Sequence, residues 1–251
     1  MPERRLGGCV MWVAVVVSLL LGLPLAAQET ANAILEKVDR VRTPPGSFVM
    51  QVTITTQHPG KADQVNVYDL YVHDAAKTLV RFVAPPAERG KALLMLGQDL
   101  WIFLPNIGKP LRVSLAQRLV GDVANGDIAR LNFAGDYDAT VDGTEVVHGA
   151  EHLILTLTAK TKGLTYGKVR LWVAKDTYQP LQAEFFALSG ALLKVGRYEN
   201  YTVIHEQRRP TRLVLVDKMR PGMVSTIEYR EITPQEIPPQ FFNKNYMKEL
   251  E

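Results

Sequence analysis

From residue 48 onward the chain is a succession of short runs of Val, Ile, Leu, Tyr and Phe, broken by turn residues about every 8 to 12 positions. Such spacing leaves too little room between breaks for long helices and reads as antiparallel strands joined by tight turns. Phe48, Met50, Val52 and Ile54 alternate with more polar neighbours, Pro59-Gly60 reverses the chain, and residues 65–72 and 79–83 follow as a meander. After Pro85-Pro86, residues 92–96 and 100–104 flank Gly97-Gln98-Asp99 as a hairpin. Strand-like runs resume at 137–141, 146–147, 153–157, 166–173, 181–186, 192–201, 211–216 and 223–232. Asp142-Gly143, Lys162-Gly163, Ser189-Gly190 and Pro221-Gly222 supply the turns between them.

Two stretches depart from this pattern. Over residues 30–41, Ala31, Ile34, Leu35, Val38 and Val41 recur at helical spacing, and Thr43-Pro44-Pro45-Gly46 ends the run, which predicts one amphipathic helix. Between residues 114 and 133, Leu115, Leu119 and Val120 precede Gly121, and Ile128 and Leu131 lie three apart, which predicts two short helices. The fold class expected is therefore mainly β (α+β): about 10–11 antiparallel strands in a sheet large enough to curl, with helices laid on the concave side. An outer-membrane barrel needs strands with a continuous apolar outer face. Here Arg81, Lys168, Arg170 and Lys194 interrupt the runs.

Arg4 and Arg5 precede an apolar run over residues 10–25 that ends in Leu25-Ala26-Ala27, the pattern of a secretory signal peptide cut after Ala27. At 16 residues the run is shorter than a bilayer span, although an uncleaved anchor is the alternative. Leu6-Gly7-Gly8-Cys9 imitates a lipoprotein box but stands before the apolar run, and Arg4-Arg5 suits an ordinary charged leader. With residues 1–27 removed, residues 28–251 form the expected single domain; it has no cysteine, and the net charge falls from +3 to +2. Nucleic acid is not an expected partner, and the periplasm is the expected location.

Motifs that would carry chemistry are few. His148-Gly149-Ala150-Glu151-His152 matches the H-x-x-E-H of inverted zinc proteases, but that motif works on a helix, and this one holds a glycine between two strand-like runs. A hairpin turn is the plainer reading. Asp136, Asp138 and Asp142 lack the glycine and glutamate spacing of a calcium loop. No Gly-x-Ser-x-Gly elbow, phosphate loop or dinucleotide fingerprint occurs. The chain is accordingly expected to have no catalytic residues, no metal and no cofactor.

Three linked segments carry a family resemblance: Phe82-Val83-Ala84-Pro85-Pro86, then Gly90-Lys91-Ala92-Leu93-Leu94, then Leu100-Trp101-Ile102-Phe103-Leu104-Pro105 with Lys109-Pro110-Leu111-Arg112. Together with the early helix and the closing Pro238-Pro239-Gln240-Phe241-Phe242, the pattern resembles the outer-membrane lipoprotein-sorting proteins of the LolA and LolB type over residues 30–247. It departs from many members at Gly135-Asp136-Tyr137-Asp138, where a Ser-Asp-Phe motif is common. The resemblance implies an incomplete antiparallel barrel whose apolar concavity, closed by helices, holds acyl chains. It also implies a monomeric carrier whose partners are lipoprotein acyl chains and transfer proteins at the inner and outer membranes.

Candidate groove and lid residues follow from the strands and the mid-chain segment. Trp101 and Phe103 share one strand face while Leu100, Ile102 and Leu104 share the other, so the strand is either core below and cavity above, or simply buried on both faces. Val80, Phe82, Leu94 and Leu96 on neighbouring runs are grouped with Trp101 and Phe103 as groove candidates. Leu115, Leu119, Val120, Ile128, Leu131 and Phe133 are the lid candidates, with Arg118 and Arg130 at the rim or on a solvated face. Three alternatives stand beside lipoprotein sorting: a shuttle for another lipid, such as a polyisoprenoid, serving an inner-membrane exporter; an envelope protein whose concavity is filled by its own side chains; and a zinc hydrolase dependent on His148.

Overall fold

The computed structural model describes residues 29–74 and 76–249, so the export segment read from residues 1–27 lies outside the described residues. The chain opens with α1 (Ala31–Arg42), whose first turn is capped by Thr30 accepting from the Ala33 N–H at 3.2 Å. Its apolar stripe, Ile34, Leu35, Val38 and Val41, is buried as the helical spacing predicts. There follow β1 (Phe48–Gln57), β2 (Gln64–Asp74), β3 (Lys77–Ala84), β4 (Ala92–Leu96), β5 (Asp99–Phe103) and β6 (Pro110–Val113). A crossing segment holds the short β7 (Arg118–Val120), β8 (Val123–Ala124) and α2 (Asn125–Ala129). The chain then returns as β9 (Tyr137–Val147), β10 (Ala150–Ala159), β11 (Lys168–Ala174), β12 (Pro180–Phe186), β13 (Leu192–Ile204), β14 (Gln207–Asp217) and β15 (Val224–Pro234).

Apart from β7 and β8, which pair with each other, these strands make one antiparallel sheet of 13 strands in the order β6-β5-β4-β3-β2-β1-β15-β14-β13-β12-β11-β10-β9. It is two meanders joined where β1 pairs with β15, through Val52 opposite Tyr229 and Ile54 opposite Ile227. The sheet is mostly β, curled and unclosed, because β6 and β9 remain its two edges. Each strand pair adds right-handed twist, so a sheet this wide rolls up and presents a concave face.

Register settles which side chains face inward. Opposite partners in antiparallel pairs share a face. Val52 faces Tyr68, Tyr68 faces Phe82, and Val80 faces Leu93, which faces Ile102. In the second meander Ile227 faces Leu213, Gly196 faces Ala183, and Leu171 faces Leu155. This inner face, α1 and the crossing segment form one large hydrophobic cluster.

Four sequence expectations are corrected. The sheet is wider than the 10–11 strands expected, β6 having been read only as part of a motif. Asp142-Gly143 is not a turn: β9 runs through it with an irregularity in its pairing to β10, and the hairpin is closed by His148 and Gly149, both at positive φ (52° and 79°). The two short helices expected between residues 114 and 133 are instead a small hairpin and a single helix of 5 residues. So short a segment gains little from helix formation on its own, and here cross-chain bonds satisfy its backbone: Asn125 N–H to the Gln117 carbonyl and Gly126 N–H to that of Leu115, both 2.9 Å. The fourth correction concerns faces. Leu79, Ala92, Leu94 and Phe103 point to the convex side, where the C-terminal segment covers them.

That C-terminal segment forms two 3-10 turns, Pro239–Phe242 and Lys244–Glu249. Phe241 stacks against Tyr71 at 5.1 Å between centroids, Lys244 sits 4.0 Å over the Trp101 ring, and Met247 is 1% exposed. Truncating Met247 opens a void in a cluster that cannot easily collapse around it. Met247→Ala is expected to lower stability by about 2–4 kcal/mol, read as a shifted urea midpoint at unchanged slope.

Candidate functional site

The concave face of the sheet is largely apolar, and two parts of the chain cover it. One is α1. The other is the strap, residues 114–136, which carries Leu115, Val120, Ile128 and Phe133 buried and Leu119 and Leu131 half-buried, all in the inner cluster. Val80 and Phe82 lie on the inner sheet face beneath them. The expected groove set is thus divided between two faces: these eight residues share the concave side, whereas Leu94, Leu96, Trp101 and Phe103 belong to the convex cluster beneath residues 241–247. Strand alternation made two faces visible but carried no sign for which was inside.

The two covering parts are tied to each other by polar groups. The Asp39 carboxylate of α1 accepts from the Phe133 N–H at 2.8 Å and the Ala134 N–H at 2.7 Å. Arg42 bonds Asp39 at 3.0 Å, donates to the Leu131 carbonyl at 3.2 Å, and lies 4.0 Å from the Phe133 ring centroid. Burial pushes the Asp39 carboxyl above its ordinary range, opposed by the Arg42 charge and the two backbone donors. To the sheet, α1 is fastened by Arg209 of β14, which donates to the Arg40 and Val41 carbonyls at the helix end.

Further polar contacts anchor the strap. Arg130 pairs with Asp136 and donates to the Gly97 carbonyl, so this residue, read from sequence as a rim or solvated charge, is a brace between the strap and the β4–β5 turn. Near the other side, Lys194 of β13 points inward, 3% exposed, and donates to Asp127 at 2.6 Å and to the Asp122 carbonyl at 2.7 Å. Asp127 also accepts from the Tyr166 hydroxyl at 2.6 Å and the Ala124 N–H at 2.8 Å. Sequence reasoning missed this network; a lysine within an apolar strand run was its one trace. The buried Tyr137, Tyr166 and Tyr198 and the half-buried Tyr229 face the same interior, and desolvation raises their phenols, which keeps them neutral.

Little space remains inside. Two interior voids of about 30 Å³ each lie beneath α1 and the strap. At the ends of the concavity are larger clefts. One of about 540 Å³ lies between the end of α1, the strap and the start of β1, and another of about 520 Å³ lies between the strap and the loops that follow β10, β12 and β14. The strap closes on this second cleft without a gap, since a Cβ at Gly126 would lie 1.9 Å from the Thr165 hydroxyl.

The residues singled out for chemistry lie apart. His148 is in the β9–β10 turn, and His152 bonds the Ala150 carbonyl at 2.9 Å. Asp136 is held by Arg130, Asp138 lies 3.8 Å from Lys160, and Asp142 accepts from Thr156 at 2.6 Å. Among the described residues no group of three or more His, Cys, Asp and Glu side chains is placed to hold a metal ion. None of their helices is long and apolar enough to cross a membrane.

Comparison with known proteins agrees with this geometry. A family model described as "Uncharacterized protein" matches residues 74–249. The chain is similar to a LolA superfamily protein from Nitrosomonas europaea, with 41% identity and a TM-score of 0.84 over 87% of this chain and 99% of that one. It shares its fold with a domain from Vibrio parahaemolyticus described as outer membrane lipoprotein-sorting protein, at 20% identity, TM-score 0.76, and 87% and 98% coverage. A DUF1329 family protein from Desulfovibrio piger has the same fold at 21% identity, TM-score 0.75, and 86% and 97% coverage. No curated protein matches the sequence.

Asp122, at the tip of the strap hairpin, gives a test of how the strap is seated. Burial raises its carboxyl, with the Lys194 ammonium opposing. The folded chain therefore holds this proton more tightly than the unfolded one, so Asp122 favours the fold below the ordinary carboxylate pKa of about 3.9, and that contribution is lost as pH rises through the raised value. The stability of the parent chain minus that of Asp122→Asn is expected to fall as pH rises above about 4 in urea unfolding. A flat difference would show the carboxyl to be solvated, and one that grows with pH would show its carboxylate to be stabilised by the fold.

Proposed function

The chain belongs to the LolA superfamily, and from that premise we propose that it is an exported carrier that shields lipoprotein acyl chains in its concavity during transfer toward the outer membrane. The observation that carries this reading is the covering of a largely apolar 13-stranded face by one helix and one strap of chain instead of a second sheet. Removing acyl chains from a membrane costs roughly 0.8 kcal/mol per methylene, so one long chain represents on the order of 10 kcal/mol that an apolar interior must offset.

The voids beneath α1 and the strap, at about 30 Å³ each, are far smaller than a lipid pocket of about 300–1,000 Å³, so an acyl chain that lies on the sheet face beneath them displaces α1 and the strap. Asp39 and Arg42 hold the two together over the sheet, so breaking this link eases their displacement. The lid side chains Leu115, Leu119, Val120, Ile128, Leu131 and Phe133 fill the space over Val80 and Phe82. Ligand then takes their place, and the sheet face is covered by hydrocarbon in both states. Loading and unloading call for membrane partners at the inner and outer membranes, and no step calls for a cofactor.

Native mass spectrometry of the exported protein purified from a bacterial periplasm, followed by solvent extraction, is expected to release acylated peptide. Protein that arrives empty and takes up no fluorescent fatty acid would overturn the proposal. Asp39→Ala leaves the Phe133 and Ala134 amides unsatisfied, and is expected to lower stability by about 1–3 kcal/mol while speeding fatty-acid uptake. Met247→Ala, on the convex face, serves as the comparison: it lowers stability without changing uptake.

A further inference from the structure

The two ends of the sheet carry opposite charge. At the end where β1 finishes and β2 begins, the loops and the strap hairpin expose Lys61, Arg89, Lys109, Arg118, Lys162 and Lys218, and none of the six forms an ion pair with a described residue. Of the other cations here, Lys91 is matched by Glu88 at 2.7 Å and Arg220 by Asp217 at 2.6 Å. The exposed acids of these loops and the adjoining strand ends are Asp63 and Asp138. At the opposite end the loops and strand ends expose Asp74, Glu145, Glu151, Asp176, Glu206, Glu231 and Glu236 against Lys77, Arg112, Lys175 and Arg208.

Apolar side chains stand out among the free cations. Leu188 in the β12–β13 turn is 67% exposed, Met219 in the β14–β15 turn 62%, and Ile107 in the β5–β6 loop 42%. Between these projections opens the cleft of about 520 Å³, bordered by Arg118, Lys162, Leu188 and Met219 and reaching inward to Leu164, Tyr166 and Lys194 of the interior. At the acidic end Val146 and Val203 are also exposed, but among carboxylates that an anionic surface repels.

We infer that the basic end is a docking face for a bilayer surface carrying anionic phospholipids, held by its loop cations with Leu188, Met219 and Ile107 entering the headgroup layer and the cleft opening toward the membrane. The cations are spread over several loops across the width of the sheet and do not converge on one groove, and the apolar residues project outward, so the face suits a broad charged surface. Each lysine or arginine brought near such a surface is worth roughly a five-fold gain in partitioning, and apolar insertion adds to it. The opposite charge of the far end orients the molecule as it approaches. This inference deepens the carrier reading by naming the surface onto which the interior would open. It is tested by vesicle binding and not by ligand content, so either can fail without the other.

The experiment is flotation of the full chain with vesicles of phosphatidylcholine alone or containing one quarter phosphatidylglycerol. The apolar run of residues 10–25 contributes equally in every variant, so the quantity read is the ratio of anionic to neutral partitioning. Stronger binding to the anionic vesicles is expected, weakening as salt is raised to about 0.5 M. Lys162→Glu/Lys218→Glu is expected to reduce the ratio by roughly 25-fold or more, and Leu188→Asp/Met219→Asp to reduce binding to anionic vesicles. Lys77→Glu/Arg208→Glu, at the acidic end, should leave the ratio unchanged. Equal partitioning into both vesicle types, an unaltered ratio in Lys162→Glu/Lys218→Glu, or salt-sensitive binding to an acidic peptide with no preference for anionic vesicles would overturn it.

Discussion

The pairing of β1 with β15 is the contact on which the rest of the structure depends. Every other neighbouring pair in the sheet joins strands consecutive in sequence, so each meander is assembled from local hairpins. The β1–β15 pairing alone brings Phe48 to Pro234 and Ile54 to Ile227, from opposite ends of the chain. Without it there would be two narrow sheets with modest curvature. With it, twist accumulates over 13 strands, and the resulting concavity is deep enough to take α1 and the strap on one apolar surface. Forming that pair closes a loop of nearly the whole chain, a cost in chain entropy that grows only slowly with length and is offset by the apolar contacts on its inner face.

The covering parts differ from the sheet in how they are held. Within the sheet, backbone bonds run continuously from strand to strand. The lid relies on apolar side chains and a handful of directed polar contacts: Asp39 to two strap amides, Arg42 to Leu131, Arg209 to the end of α1, Arg130 to Asp136, and Lys194 to Asp127. Contacts of this kind break together when a rigid piece moves, whereas strand pairing resists in proportion to its length. The sheet is thus tied together through its backbone, and its covering parts are tied to it through side chains.

Charge is arranged on the same frame. Because strands alternate in direction, every second loop emerges at the same end, and residues scattered between 61 and 218 gather into one basic rim. The net charge of +3 conceals this separation entirely. The convex face, by contrast, is covered by the chain's own C-terminal segment, which packs with Leu94, Trp101 and Phe103 in a second hydrophobic cluster.

The sequence by itself determined the local elements: α1 from its apolar spacing and the Thr43-Pro44-Pro45-Gly46 stop, most strands from alternation and turn residues, and the family from the Phe82-to-Arg112 pattern with the closing residues 238–242. These are properties of neighbours along the chain, where periodicity and backbone preference act directly. Only the tertiary structure decided which face of β4 and β5 is inside, because Leu94 and Leu93 are equally apolar and the choice rests on which partner covers each side. It also decided that residues 114–124 form a hairpin, since a segment lying on an apolar sheet can bury its side chains with either period. The Lys194–Asp127 and Asp39–strap contacts, and the gathering of distant cations at one end, depend on pairings more than 60 residues apart (67 for the first, 94 for the second) that no local pattern encodes.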